Sequence, residues 1–88
     1  MREEVKKFAE EMESVLKEND YKGGWDRCSI SWLEKRLIKE VGEYAESSML
    51  VDDEGDRSFE QDRKKELVDI ANFCMMLHSR LDKICVRI

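Results

Sequence analysis

The sequence predicts an all-α fold in which an N-terminal helix precedes an antiparallel helical hairpin. Apolar residues recur every three or four positions in three segments, as on the buried face of an amphipathic helix. The chain has no proline and 42% of its residues are charged, which suits long helices with charged outer faces. No segment alternates between apolar and polar residues as a strand does. The 88 residues are therefore expected to form one all-α domain, residues 1–88.

The first helix is expected to run from about Arg2 to Glu18. Gly23 and Gly24 follow it, and two adjacent glycines break helical order. The helix should therefore end before the polar stretch that begins at Asn19. Its apolar stripe consists of Val5, Phe8, Met12, Val15 and Leu16.

The second helix is expected to begin near Ser29 or Ser31 and to end near Leu50. Ser31 and Glu34 have the spacing of a capping box, in which side chains satisfy the free backbone N–H groups at a helix start. The buried stripe of this helix should consist of Ile30, Leu33, Leu37, Val41 and Tyr44.

A polar reversal loop, Val51–Ser58, is expected to connect the second helix to the third. Ser58 and Gln61 repeat the capping spacing, and the third helix should run from about Phe59 into the low eighties. Because such short connections make neighbouring helices antiparallel, the two helices should form a hairpin. The apolar stripe of the third helix consists of Phe59, Leu67, Ile70, Phe73, Cys74, Leu77, Leu81 and Ile84.

Three helices with these stripes leave apolar surface uncovered, so we expect a homodimer or homotetramer that completes four-helix-bundle-like layers. A lone three-helix bundle is the alternative. The net charge of −5 argues against binding to a nucleic-acid polymer, and no apolar run is long enough to span a membrane. Three widely spaced cysteines and a charged N-terminus without a signal-peptide core favour reduced thiols and a cytoplasmic location.

Two acid pairs are arranged symmetrically about the reversal loop. Glu40 and Asp69 lie at equal distances in sequence from its centre, and so do Glu43 and Glu66. Folding the hairpin therefore brings four carboxylates together, where like charges repel unless they are protonated or neutralised. Glu40 and Glu66 fall inside the apolar stripes of their helices, while Glu43 and Asp69 fall on the margins.

A hard divalent cation is the simplest neutraliser of four carboxylates. The all-oxygen set favours Mg²⁺, or Mn²⁺, over iron or zinc as the metal. A di-iron bundle is a poorer match because its helices carry Glu-x-x-His, and neither acid pair includes a histidine. A salt bridge from Arg63 to Glu43 or Glu66 is the structural alternative to a metal.

The acid pattern, Glu40-x-x-Glu43 followed after 22 residues by Glu66-x-x-Asp69, resembles the signature of the MazG-like all-α nucleotide pyrophosphohydrolases. Two further stretches resemble short members of that family, namely Asn19-Asp-Tyr-Lys-Gly-Gly-Trp25 and Glu66-Leu-Val-Asp-Ile-Ala-Asn-Phe-Cys-Met-Met-Leu77. The resemblance extends over almost the whole chain. It implies Mg²⁺-dependent cleavage of a nucleoside triphosphate between its α- and β-phosphates, with Glu40, Glu43, Glu66 and Asp69 as the metal ligands, in helical dimers or tetramers.

Further residues are candidates for roles in such a reaction. Glu43 is our choice for the base that accepts the proton of the attacking water. Lys22 either contacts a phosphate as a point charge or is a solvated loop residue. Trp25 and Trp32 either stack on a nucleobase or pack a helix junction. Asn72, which falls outside the apolar stripe, either hydrogen-bonds a base or sugar or bonds a neighbouring subunit.

The sequence leaves three functional hypotheses open. The first is the pyrophosphohydrolase, and the second is a non-catalytic helical module that binds a nucleotide or a protein. The third is a purely structural dimer in which the acids form salt bridges. The first requires the four acids to hold the metal, the second predicts nucleotide or partner binding without turnover, and the third requires basic partners for the acids.

Overall fold

The computed structural model describes residues 1–19, 23–49 and 60–86 of the chain. Its helices are α1, Glu3–Glu18; α2, Ile30–Met49; and α3, Glu60–Val86; a short 3₁₀ helix, Trp25–Arg27, precedes α2. These described ranges contain no strand, which confirms the all-α class. In the same ranges, no helix combines the length and the apolar character that crossing a membrane requires.

The helix starts and ends follow local chemistry. The Ser29 Oγ accepts a hydrogen bond of 3.0 Å from the backbone N–H of Trp32, so Ser29 caps α2. The capping box predicted at Ser31 is wrong, because Ser31 already lies in the first turn of the helix. At the other junction Gly23 has a φ of +91°, a left-handed conformation that glycine adopts without strain.

The remaining boundaries are close to those predicted, except at the chain's C-terminal end. Helix α1 begins one residue later than expected and ends at Glu18 as expected. Helix α3 continues to Val86, several residues beyond the low eighties. The predicted reversal loop Val51–Ser58 and its Ser58 cap lie outside the described residues.

Helices α2 and α3 form the antiparallel hairpin predicted from the sequence. The Arg36 guanidinium lies over the Phe73 ring, 5.5 Å from its centroid. Closer to the reversal, the Arg63 guanidinium lies 5.6 Å from the centroid of the Tyr44 ring and donates a hydrogen bond of 3.4 Å to the Tyr44 hydroxyl. Arg36 and Phe73 have the same midpoint in sequence as the acid pairs. The predicted register of the hairpin is therefore confirmed.

Helix α3 packs against α2 on one face and against α1 on another, while α1 and α2 do not pack on each other within the described ranges. The described core is small. Its apolar members are Leu33, Val68 and Leu77, with Leu33 fully buried, and it also contains Glu40 and Asn72. Helix α1 has no buried residue. The radius of gyration of 15.0 Å exceeds the roughly 12 Å of a compact domain of this length, so the molecule is elongated.

The predicted apolar stripes are only partly covered. Cys74, expected in the core, is exposed, and this prediction is wrong. The reason is geometric, since a stripe marks the apolar side of a helix but not which part of that side a neighbour reaches. Other stripe positions that remain exposed are Val5, Phe8, Val41, Leu67 and Leu81.

Candidate metal centre and ligand cavity

The hairpin brings the two predicted acid pairs to one region of the molecule. Glu40 on α2 is buried, with 8% of its surface exposed, and Asp69 on α3 is partly buried. Both line a cavity of about 860 Å³ that is bounded by α1, α2, α3 and the segment before α2. Glu66 is partly buried and Glu43 is exposed. The predicted quartet therefore divides into two cavity-lining acids and two flanking acids.

Arg36 is the charged partner of the buried acid. Its Nη2 donates a hydrogen bond of 2.9 Å to Oε1 of Glu40, one turn along α2. Arg63, the cation predicted from the sequence to pair with Glu43 or Glu66, contacts Tyr44. The signal for Arg36 was present in the sequence, because residues four apart on a helix are surface neighbours.

Burial, together with repulsion from neighbouring acids, raises the pKa of Glu40. Burial is the largest cause of the raised pKa of Glu40, because it removes water from the charged carboxylate. Repulsion from Glu43 and Asp69 and a side-chain hydrogen bond with Glu43 act in the same direction. Arg36 opposes the shift without cancelling it.

Asp69 has a raised pKa for related reasons. Burial is again the largest cause, and repulsion from Glu43 and Glu66 adds to it. Lys65 and Arg36 lower the pKa of Asp69 but leave it above its ordinary value. Glu43, Glu66 and Asp69 thus appear among the charges that act on Glu40 or Asp69, as do the cations Arg36 and Lys65.

The chemistry of the acids fits Mg²⁺, since every side-chain donor is a carboxylate oxygen. In the described part of the chain, however, no group of three or more His, Cys, Asp or Glu side chains is arranged to hold a metal ion. The Glu40 carboxylate instead forms an ion pair with the Arg36 guanidinium. Convergence of all four acids on one ion therefore requires their side chains to rotate from the arrangement described.

Both tryptophans of the chain contribute to the cavity wall. Trp25 is partly buried in the 3₁₀ helix, and Trp32 is about half exposed in the first turn of α2. Phe73 and Met76 continue the apolar wall on α3. The cavity thus has an aromatic side next to an acidic one.

Lys65 is a cavity-lining cation that was not predicted from the sequence. Lys65, one turn before Asp69 on α3, lines the wall. The i, i+4 spacing of Lys65 and Asp69 was the available signal. Lys22, the predicted phosphate contact, lies outside the described residues.

Asn72 is buried, contrary to its predicted position outside the apolar stripe. Only 3% of its surface is exposed, and its Nδ2 donates a hydrogen bond of 3.4 Å to the carbonyl oxygen of Met12 on α1. The stripe was defined by the side of α3 that meets α2. Asn72 lies on the side that α1 covers, which the periodicity of α3 alone does not identify.

The raised pKa values give the metal-free protein an unusual dependence on pH. A carboxyl whose pKa is higher in the folded than in the unfolded state lowers the free energy of unfolding as the pH rises from its unfolded pKa to its folded pKa. For Glu40 this pH interval starts at the ordinary value of 4.5. Lowering the pH from about 7.5 to about 5 is therefore expected to increase the contribution of Glu40 and Asp69 to the free energy of unfolding. Urea titrations at the two pH values measure this change in the free energy of unfolding.

Two double variants separate the pH-dependent contribution of Glu40 and Asp69 to the free energy of unfolding from that of other acids. Glu40→Gln/Asp69→Asn should lose the increase, whereas Glu34→Gln/Asp62→Asn, which alters exposed acids of the same two helices, should retain it. An identical pH response in both double variants would contradict the assignment to Glu40 and Asp69.

The comparisons with known proteins add no relative to this description. No family model, no curated protein and no solved structure matches the chain. The fold and the site therefore define the protein only as an all-α helical domain with an acidic, aromatic-walled cavity beside its hairpin.

Proposed function

We propose that the chain is a Mg²⁺-dependent nucleoside triphosphate pyrophosphohydrolase of the MazG-like kind, which releases a nucleoside monophosphate and pyrophosphate. The observation that supports this most is the placement of Glu40 and Asp69, from antiparallel helices, on the wall of one cavity. Its volume of about 860 Å³ lies in the range of small-molecule sites. Crowded carboxylates next to an aromatic wall suit a ligand with a metal-bound phosphate chain and a flat ring.

The side chains take distinct roles in this proposal. Glu40, Glu43, Glu66 and Asp69 hold Mg²⁺, or Mn²⁺ in its place. The bound metal supplies neutralisation of the triphosphate charge and orientation of the attacking water. Glu43, the exposed member of the set, is the proposed base for the proton of that water.

Two cations of the cavity wall complete the phosphate site. Lys65 acts as a point charge for a phosphate oxygen, the role first assigned to Lys22. Arg36, whose planar guanidinium suits paired oxygens, is a second phosphate contact when a metal takes over Glu40. Trp25 and Trp32 stack on the base.

A panel of ribo- and deoxyribonucleoside triphosphates incubated with Mg²⁺ tests the proposal. Pyrophosphate and the monophosphate should appear in equal amounts from at least one member. The variant Glu40→Gln/Asp69→Asn should lose the activity by about a hundredfold or more, because electrostatic groups of this kind contribute that much to a rate. The control Glu34→Gln/Asp62→Asn should retain it. No release from any member, with folding verified by circular dichroism, would refute the enzyme.

A non-catalytic nucleotide- or protein-binding module is the second candidate. The Arg36–Glu40 ion pair favours it, because a carboxylate held by a guanidinium is stable without a metal. So does the arrangement of the acids, which forms no metal-holding group within the described residues. This candidate predicts nucleotide or partner binding without release of pyrophosphate, and equilibrium dialysis beside the activity panel separates the two.

The assembly and the location of the protein stay predictions. Exposed apolar side chains on the hairpin favour a homodimer or homotetramer, which sedimentation equilibrium measures directly. They are Ile38, Val41, Leu67 and Leu81. A nucleoside triphosphate substrate agrees with a cytoplasmic location, and the acidic charge of the chain agrees with a small-molecule substrate rather than a nucleic-acid polymer.

A further inference from the structure

The Asn72 side chain has an unused hydrogen-bond acceptor. The Met12 carbonyl oxygen can only accept a hydrogen bond, so its partner must be the Nδ2 amino group of Asn72. This bond fixes the positions of Nδ2 and Oδ1 in the Asn72 amide. The remaining atom, Oδ1, is buried and has no hydrogen-bond partner within the described structure. A buried polar atom without a partner is costly, and native proteins contain few of them.

The position of this acceptor connects it to the cavity. Asn72 belongs to the wall of the cavity that Phe73, Trp25 and Trp32 also line. Helix α1, which adds Val15 and Leu16 to the same wall, has no buried residue, and its Met12 carbonyl accepts the 3.4 Å hydrogen bond from Asn72. Because α1 buries so little, a small displacement of this helix exposes Oδ1 to a ligand in the cavity.

We infer that Asn72 selects adenine and cytosine, whose amino groups at C6 and C4 stand where hypoxanthine and uracil carry a keto oxygen, by accepting a hydrogen bond from that amino group at Oδ1. The inference rests on the proposed function in that it takes the ligand to be a nucleotide. Oδ1 offers lone pairs and no proton, so an amino group matches it. A keto oxygen at the same place on the ring sets one acceptor against another and leaves both without a partner.

The other residues of the cavity wall do not distinguish amino from keto groups. Glu40 and Asp69 add hydrogen-bond acceptors when ionised, while Arg36 and Lys65 add donors. The aromatic residues bind the face of any base and do not discriminate. Selectivity among bases therefore depends on the edge that meets Asn72.

Two pairs of free nucleosides test the inference without phosphate, metal or turnover. Adenosine and inosine differ by amino against keto at one ring position, and so do cytidine and uridine. Both tryptophans of the chain, Trp25 and Trp32, line the cavity, so quenching of their fluorescence reports binding. We expect adenosine and cytidine each to bind about tenfold or more tighter than their keto partners, since an unpaired buried polar group has a penalty of that order.

A matched pair of variants assigns the selectivity. Asn72→Leu should bring the affinities of both nucleoside pairs to within about twofold by weakening only the amino members. His78→Leu, which alters an exposed polar residue of the same helix outside the cavity wall, should leave the selectivity intact. Selectivity that survives Asn72→Leu would overturn the inference.

The wild-type measurement stands by itself if Asn72→Leu fails to fold. Equal affinities within both nucleoside pairs, or no nucleoside binding at all, would overturn the inference. Because the assay involves no hydrolysis, selective nucleoside binding without pyrophosphate release would leave the inference standing while the enzyme proposal fails. Pyrophosphate release without selectivity between amino and keto bases would do the reverse.

Discussion

Magnesium is expected to raise the midpoint of thermal unfolding by roughly 10–20 °C when its concentration is about a hundred times its dissociation constant. A ligand that binds only the folded state at that excess adds about 2.7 kcal/mol to the free energy of unfolding. In a domain of this size each 1 kcal/mol corresponds to about 4–8 °C. The physical source is the relief of repulsion around Glu40 and Asp69, whose pKa values are raised by burial and by their acidic neighbours.

Calorimetry in matched ionic strength provides the measurement. Sodium chloride must replace the magnesium salt in the reference, because screening alone stabilises a chain with a net charge of −5. Glu40→Gln/Asp69→Asn should abolish the specific shift, and Glu34→Gln/Asp62→Asn should preserve it. If magnesium and sodium give the same midpoint in the unmodified protein, the four acids do not hold this metal.

Leu33→Ala is expected to lower the free energy of unfolding by about 2–5 kcal/mol, the range for removing a leucine side chain from a packed interior. Leu33 is the one fully buried large side chain among the described residues. The total stability of an 88-residue domain is about 4–13 kcal/mol, so the loss is a large fraction of it. Urea titration monitored by circular dichroism measures the change.

Leu81→Ala provides the same chemical change at an exposed position. Leu81 has 49% of its surface exposed on α3, so its truncation should lower the free energy of unfolding by less than about 1 kcal/mol. Comparable losses for the two variants would show that the core around Leu33 is not the main source of stability.

The periodicity of the sequence predicted the helices well because each helix is set by local chemistry. The start of α2 at Ser29 and the end of α1 before the glycines require only neighbouring residues. The register of the hairpin was also accessible, because the mirrored acids constrain it and the contact between Arg36 and Phe73 agrees with it.

Burial was harder to predict because it depends on which faces meet. The stripe on α3 was assigned to one buried side, while α3 has two, one towards α2 and one towards α1. Asn72 was therefore placed outside the core although it is almost wholly buried, and Cys74 was placed inside although it is exposed.

Some features of the candidate site were predictable from spacing in the sequence, and others depend on tertiary packing. The two acid pairs were identifiable from spacing alone. The cation that pairs with Glu40 was identifiable as well, through the i, i+4 spacing of Arg36, but the arginine considered was Arg63. The cavity and the unpaired Oδ1 of Asn72 depend on tertiary packing, which no spacing in the sequence encodes.

The absence of buried side chains in α1 bears on the order in which the molecule assembles. The hairpin joins segments on either side of one connection, whereas the bond from Asn72 to Met12 joins positions 60 residues apart. Closing so long a stretch of chain carries a larger entropy cost, and α1 buries little apolar surface to offset it. Helix α1 is therefore expected to dock last in folding and to detach at a lower free-energy cost than global unfolding.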